Sequence, residues 1–153
     1  MAELARAVGL GLAARGDVEE TVAWVRRAED LGLESVWVHD SYFERDPISF
    51  LAPMASATSR IGLGAGALNP YTRHPFVVAS TMATLDNLAP GRMSLALGSG
   101  LPLRLMQMAI PFEDAPSYVS QAIDHVRSLW EGKRLVLNDT VPPLVPMFPP
   151  PKR

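Results

Sequence analysis

His39 and Asp40 stand side by side at the end of the apolar run Ser35-Val36-Trp37-Val38 and open a polar loop that lasts to Arg45. An imidazole can act as a general acid with a pKa near neutrality, and a carboxylate can hydrogen-bond a ligand. The same residue types also suit a loop cap at Asp40 and a histidine packed beside a helix, so their identity leaves both readings open. A second group follows the glycine-rich run Ile61-Gly62-Leu63-Gly64-Ala65-Gly66-Ala67-Leu68. There Asn69, Thr72, Arg73 and His74 offer donors to a cofactor or to an anionic substrate, and Arg73 equally suits an ordinary ion pair. A third candidate is Gly98-Ser99-Gly100, whose backbone N–H groups can hold a phosphate or simply form a turn.

These groups need elements that bring them together. Three glycines at alternate positions exclude a helix over residues 61–68, at a cost of about 1 kcal/mol each, and suit a buried strand approached closely by a backbone or ligand. A first strand is predicted over 8–13, a second over 35–38 and a fourth over 93–97. Asp17 reads as an N-cap with Glu20 three residues on, and Val18, Val22, Val25, Ala28 and Leu31 recur at helical spacing up to the stop at Gly32. Asp46-Pro47 opens a helix to Ala57, and Val78, Met82, Leu85 and Leu88 stripe another over 75–88 that Pro90-Gly91 ends. Val119, Ile123, Val126 and Trp130 mark a fourth helix closed by Gly132. Four strand–helix units demand an α/β fold with a parallel sheet, either doubly wound or part of a (β/α)8 barrel.

After Leu137 six prolines fall within the last twelve residues, so residues 138–153 read as an irregular proline-rich tail on a unit spanning 1–137. A frayed end is one reading of that tail; a proline-motif ligand for a partner domain is another. The chain of 153 residues is 48% hydrophobic and 20% charged, enough for a sizeable core in one domain. Its net charge of −2, with Lys and Arg scattered, offers no stripe for nucleic acid and no polybasic membrane patch, so a small-molecule or protein partner is expected. Without cysteine there is no thiolate site, and three separated histidines give no expectation of a metal. The composition is compatible with a reducing cytoplasm. Residues 7–14 read as a strand rather than a signal segment, since Glu3 precedes and Arg15 ends them. Gly9-Leu10-Gly11-Leu12-Ala13-Ala14 and Gly62-Leu63-Gly64-Ala65-Gly66-Ala67 fit a loose dinucleotide fingerprint, but their glycines lie inside strand patterns, which argues against that use. Met54, Met82, Met106 and Met108 read as core or loop filler.

Four segments in order, Trp37 to Pro47, Ala57 to Gly64, Asn69 to Pro75 and Ala83 to Arg92, resemble the luciferase-like monooxygenase superfamily. Within it the chain is most similar to the coenzyme F420-dependent reductases of the methylenetetrahydromethanopterin reductase type, over about residues 8–137. The resemblance implies the N-terminal half of a TIM-type (β/α)8 barrel of parallel strands, since such a barrel needs about 250 residues. It implies a deazaflavin, coenzyme F420, or alternatively FMN, across the C-terminal strand ends. A bulge with a non-prolyl cis peptide would back the ring at Gly66-Ala67, joined by Leu68, Asn69, Gly98, Ser99 and Gly100. Asp40 and His39 become the catalytic candidates, and Tyr42 and Arg73 the substrate contacts. Relatives carry Asp-His in this loop, whereas here the histidine precedes Asp40 and Ser41 follows it. The expected activity is hydride transfer between reduced F420 and a small organic substrate. The alternatives are an FMN-dependent monooxygenase using oxygen and a non-catalytic half-barrel. An open half is expected to form a homo-oligomer or to pair with a complementary half.

Overall fold

The computed structural model describes residues 8–41 and 43–152. In chain order its elements are β1 (Gly9–Ala13), α1 (Val18–Asp30), β2 (Ser35–His39), α2 (Pro47–Ala57), β3 (Gly62–Leu68), α3 (Pro75–Leu88), β4 (Met93–Leu97), α4 (Pro102–Gln107) and α5 (Ala115–Trp130). The strands form one parallel sheet in the order β1-β2-β3-β4, so every neighbour is reached through a helix. This is the fold of half a TIM-type barrel.

Local chemistry starts the helices where the sequence predicts. Asp17 Oδ1 accepts from the backbone N–H of Glu19 at 2.8 Å and of Glu20 at 3.1 Å, and Gly32 leaves α1 with φ +80°. Asp46 Oδ2 accepts from the Ser49 N–H at 2.7 Å with Pro47 in the first turn of α2. Unpredicted from sequence is α4, a six-residue helix opened by Pro102, too short to show a period.

The two faces of the sheet differ. Val36, Val38, Leu63 and Ala65 are fully buried against Leu51, Met54, Val78 and Met82 of the helices, each larger side chain contributing roughly 2 kcal/mol. On the other face Gly11, Trp37, Gly64 and Ser94 lie in register across all four strands. A Cβ on Gly64 would come within 2.3 Å of the Trp37 ring, and one on Gly66 within 2.9 Å. The glycines of β3 at 64 and 66 thus leave the space that the Trp37 indole fills, whereas the face at Gly11 of β1 stays open. After Leu137 the chain is irregular but held: Leu135 and Leu144 exchange backbone hydrogen bonds, Phe148 packs edge-on to Phe76 at 5.9 Å, and Lys152 N–H donates to Asp86 at 2.6 Å.

Among the described residues no helix is long and apolar enough to cross a membrane, and no group of three or more His, Asp or Glu is placed to hold a metal ion.

Candidate active site

The C-terminal ends of β2, β3 and β4, with the loops that follow them, carry the predicted site residues that lie among the described ones. At β3 the register with β4 shifts: Ala65 pairs with Leu95 but Leu68 with Leu97, so one extra residue bulges from β3. The bulge is Gly66-Ala67, and the bond between them is cis. Ala67 is exposed, and across from it Gly98 stands so close that its Cβ would lie 3.0 Å from that of Ala67. Gly98 N–H donates to Leu68 C=O at 3.0 Å, and Gly100 leaves the strand with φ +65°. No side chain larger than a methyl or hydroxymethyl stands at 66, 67, 98, 99 or 100. A flat ring system fits against such a surface, and a larger residue would fill it.

Asn69 ties this surface together. Its Nδ2 donates to Ser99 C=O at 2.8 Å, its Oδ1 accepts from Tyr71 N–H at 2.8 Å, and its own carbonyl accepts from the N–H groups of Thr72 and Arg73. Buried completely, Asn69 positions the loops after β3 and β4 relative to each other. Tyr71 then stacks on Tyr118 at 4.2 Å and donates from its hydroxyl to Glu113 C=O, anchoring the loop to the segment before α5.

Arg73 reaches back to the loop after β2. Its Nε and one terminal nitrogen donate to the two oxygens of Asp40, both at 3.3 Å, and that terminal nitrogen donates to Asp46 at 2.8 Å. Asp40 is nearly enclosed, with 3% of its side chain exposed. Burial opposes the charge on Arg73, but the hydrogen bond and charge of Asp40, with those of Asp46, outweigh it and raise its pKa. For Asp46 burial is again outweighed, here by hydrogen bonds from Ser49 and by Arg73, and its pKa is lowered. Arg73, expected to meet substrate, and Asp40, the catalytic candidate expected to hydrogen-bond a ligand, therefore meet each other first. Their geometry is that of a clamp between two loops.

His39 points to a different pair of partners. Its Nδ1 lies 3.1 Å from Leu12 C=O, which can only accept, so Nδ1 carries the hydrogen. Its Nε2 lies 3.4 Å from Glu44 Oε2, a buried oxygen with no hydrogen bond of its own, and half of the ring is exposed. Tyr42, the remaining expected substrate contact, lies outside the described residues. Trp37 and Glu44 were not singled out from sequence. Trp37 has a signal, the alternate glycines of neighbouring β3, whereas Glu44 is one more charge in a polar loop.

The family model described as luciferase-like monooxygenase matches residues 4–151. The chain belongs to the luciferase-like monooxygenase family. Among its relatives in that family, the 5,10-methylenetetrahydromethanopterin reductase of Methanolobus tindarius is 32% identical over 115 residues, covering 75% of this chain and 35% of that protein. An F420-dependent glucose-6-phosphate dehydrogenase of Beutenbergia cavernae is 32% identical over 133 residues, covering 79% of this chain and 40% of that one. The crystal structure of monooxygenase RslO1 from Streptomyces bottropensis matches with a TM-score of 0.82 at 26% identity, over 97% of this chain and 50% of that one. The chain thus spans between 35% and 50% of the length of these luciferase-like proteins.

Proposed function

We propose that this chain supplies the ring cradle of a coenzyme F420-dependent oxidoreductase that passes a hydride between the deazaflavin and a small organic substrate. The observation that carries the reading is the bulged end of β3 opposite Gly98, a surface stripped of side chains where a flat ring can lie. Two relatives support the choice of cofactor, one by its F420-dependent name and one by the reductase type that the sequence resembles. Bound there, the deazaflavin would supply the hydride chemistry; the protein orients the ring and excludes water.

Each residue then has a task. Ala67 and Gly98 shape the seat, and the free N–H groups about Ser99 and Gly100 suit the cofactor's side chain or phosphate. Asn69 fixes the seat's two walls. Asp40, held by Arg73, would fix the loop after β2 against the loop after β3 beside the seat, and His39 Nε2 is the atom able to exchange a proton with solvent or substrate. Substrate contact by Tyr42, a paired complementary half and residence in the cytoplasm complete the proposal.

A monooxygenase is favoured by the RslO1 likeness, and the same seat would hold FMN for that chemistry. Titrating the purified chain with F420 and with FMN, followed by quenching of Trp37 fluorescence, separates the readings. Saturable, selective F420 quenching that disappears in Trp37→Phe is expected. Preference for FMN moves the assignment to the monooxygenase, and binding of neither removes the cradle from this chain alone.

A further inference from the structure

A second site lies on the same end of the sheet, away from the β3 bulge. The loop after β1, the loop after β2 and α4 meet around a cleft of about 670 Å³ whose charged lining is Arg15, Glu44, Arg45 and Arg104. Three guanidinium groups face one carboxylate there, in a chain of net charge −2. Glu44 is taken by Arg15, which donates to it from Nε and pairs through a terminal nitrogen.

The other two arginines remain available. Arg45 is exposed and has no acidic partner among the described residues, yet its backbone is fixed by an N–H donated to Ala14 C=O at 3.1 Å. Arg104 lies with its guanidinium carbon 4.1 Å above the Phe43 ring and gives one terminal nitrogen to Gln107 Oε1 at 3.1 Å. Stacking fixes the plane of a guanidinium and leaves its edge donors free. The stack also carries α4, which follows β4, back over the strand ends to the β2 loop. A guanidinium held by stacking, with a second, exposed one lining the same concave site, can recognise a planar or tetrahedral oxyanion. Glu44 would repel an anion from the Arg15 side, which places it between Arg45 and Arg104.

We propose that this cleft is a subsite for the anionic group, a phosphate or carboxylate, of the substrate, with Arg45 and Arg104 as its donors. The assignment to substrate rests on the cofactor seat proposed at β3 and β4; the anion site itself does not.

The test titrates the purified chain with inorganic phosphate and pyrophosphate, reading arginine Nε–Hε signals by NMR. Phenylglyoxal labelling mapped by mass spectrometry repeats the comparison for assemblies too large for NMR. Saturable shifts or protection at Arg45 and Arg104 are expected, with Arg60 and Arg134 unaffected. Arg45→Gln and Arg104→Gln, both changes at solvent-accessible side chains, should each weaken binding about tenfold, the loss of one charge-assisted hydrogen bond. Equal effects at all arginines, or unchanged affinity in both variants, would overturn the site. Presaturation with F420 distinguishes the ligands: unchanged phosphate affinity supports the substrate assignment, and displacement overturns it in favour of the cofactor's own phosphate. Should F420 fail to bind while phosphate still saturates these two arginines, the seat falls and the anion site stands.

Discussion

Arg73 balances two carboxylates from the loop after β2, and one of them, Asp40, is shut away from water. Removing one partner of such a group is costly because the other charge is left buried. Arg73→Met should therefore destabilise the chain by about 3 kcal/mol in urea denaturation. Arg73→Met combined with Asp40→Asn should recover most of that loss, since no charge is then stranded. If the double variant is no better than the single one, Arg73 acts through something other than Asp40. The N-cap role of Asp46 was legible in Asp-Pro before a helical pattern. The clamp was not, because Arg73 lies 33 residues from Asp40 and sequence spacing carries no signal for such a pair.

Elements are joined by groups of the same kind. Glu29, near the end of α1, accepts with one oxygen from the backbone N–H groups of Ser59, Arg60 and Ile61 at 2.9, 2.6 and 2.9 Å, fixing the turn that leads into β3. Burial opposes its charge, but these three donors outweigh it and lower its pKa from 4.5 to about 2. The folded pKa is the lower one, so the stabilisation is complete above the unfolded value and is lost as pH falls from about 4.5 towards 2. Glu29→Gln should flatten acid unfolding within that window, measured by circular dichroism, while lowering stability at pH 7 by roughly 2 kcal/mol. A variant with an unchanged acid profile would remove Glu29 from the account. The strands and the four long helices were legible because apolar period, caps and glycine stops agree along each. What escaped was α4, and also part of the reason for the β3 glycines: the run looks like a ligand approach, and Gly64 and Gly66 instead accommodate Trp37. The bulge at Gly66-Ala67 came from family resemblance, for no local pattern separates it from the glycines before it.

At the scale of the molecule, among the described residues β1 and β4 each have one edge with no partner strand, and the face that carries Gly11, Trp37, Gly64 and Ser94 is open at Gly11 and exposed at Ser94. A cleft of about 600 Å³ beside β4 is lined by Met82, Leu95, Leu97, Ile123 and Trp130 together with Asp86 and Arg127, and by Pro151 and Lys152 of the tail. Unpaired strand edges and open apolar surface both favour association. Two copies related by a two-fold axis can set β4 of each against β1 of the other, which closes all four edges in parallel and encloses both glycine-lined faces. The purified chain should accordingly run as a discrete dimer in size-exclusion chromatography with light scattering. Gly11 provides a probe that leaves the half intact, because a side chain there meets nothing within 4 Å. Gly11→Lys places a charge on the face that closure would bury, so it should shift the population to monomer without changing the circular dichroism spectrum. A wild-type chain that stays monomeric at high concentration would mean that the edges are protected as they stand, and that the tail packed on Phe76 and Asp86 already does part of the work assigned to a partner.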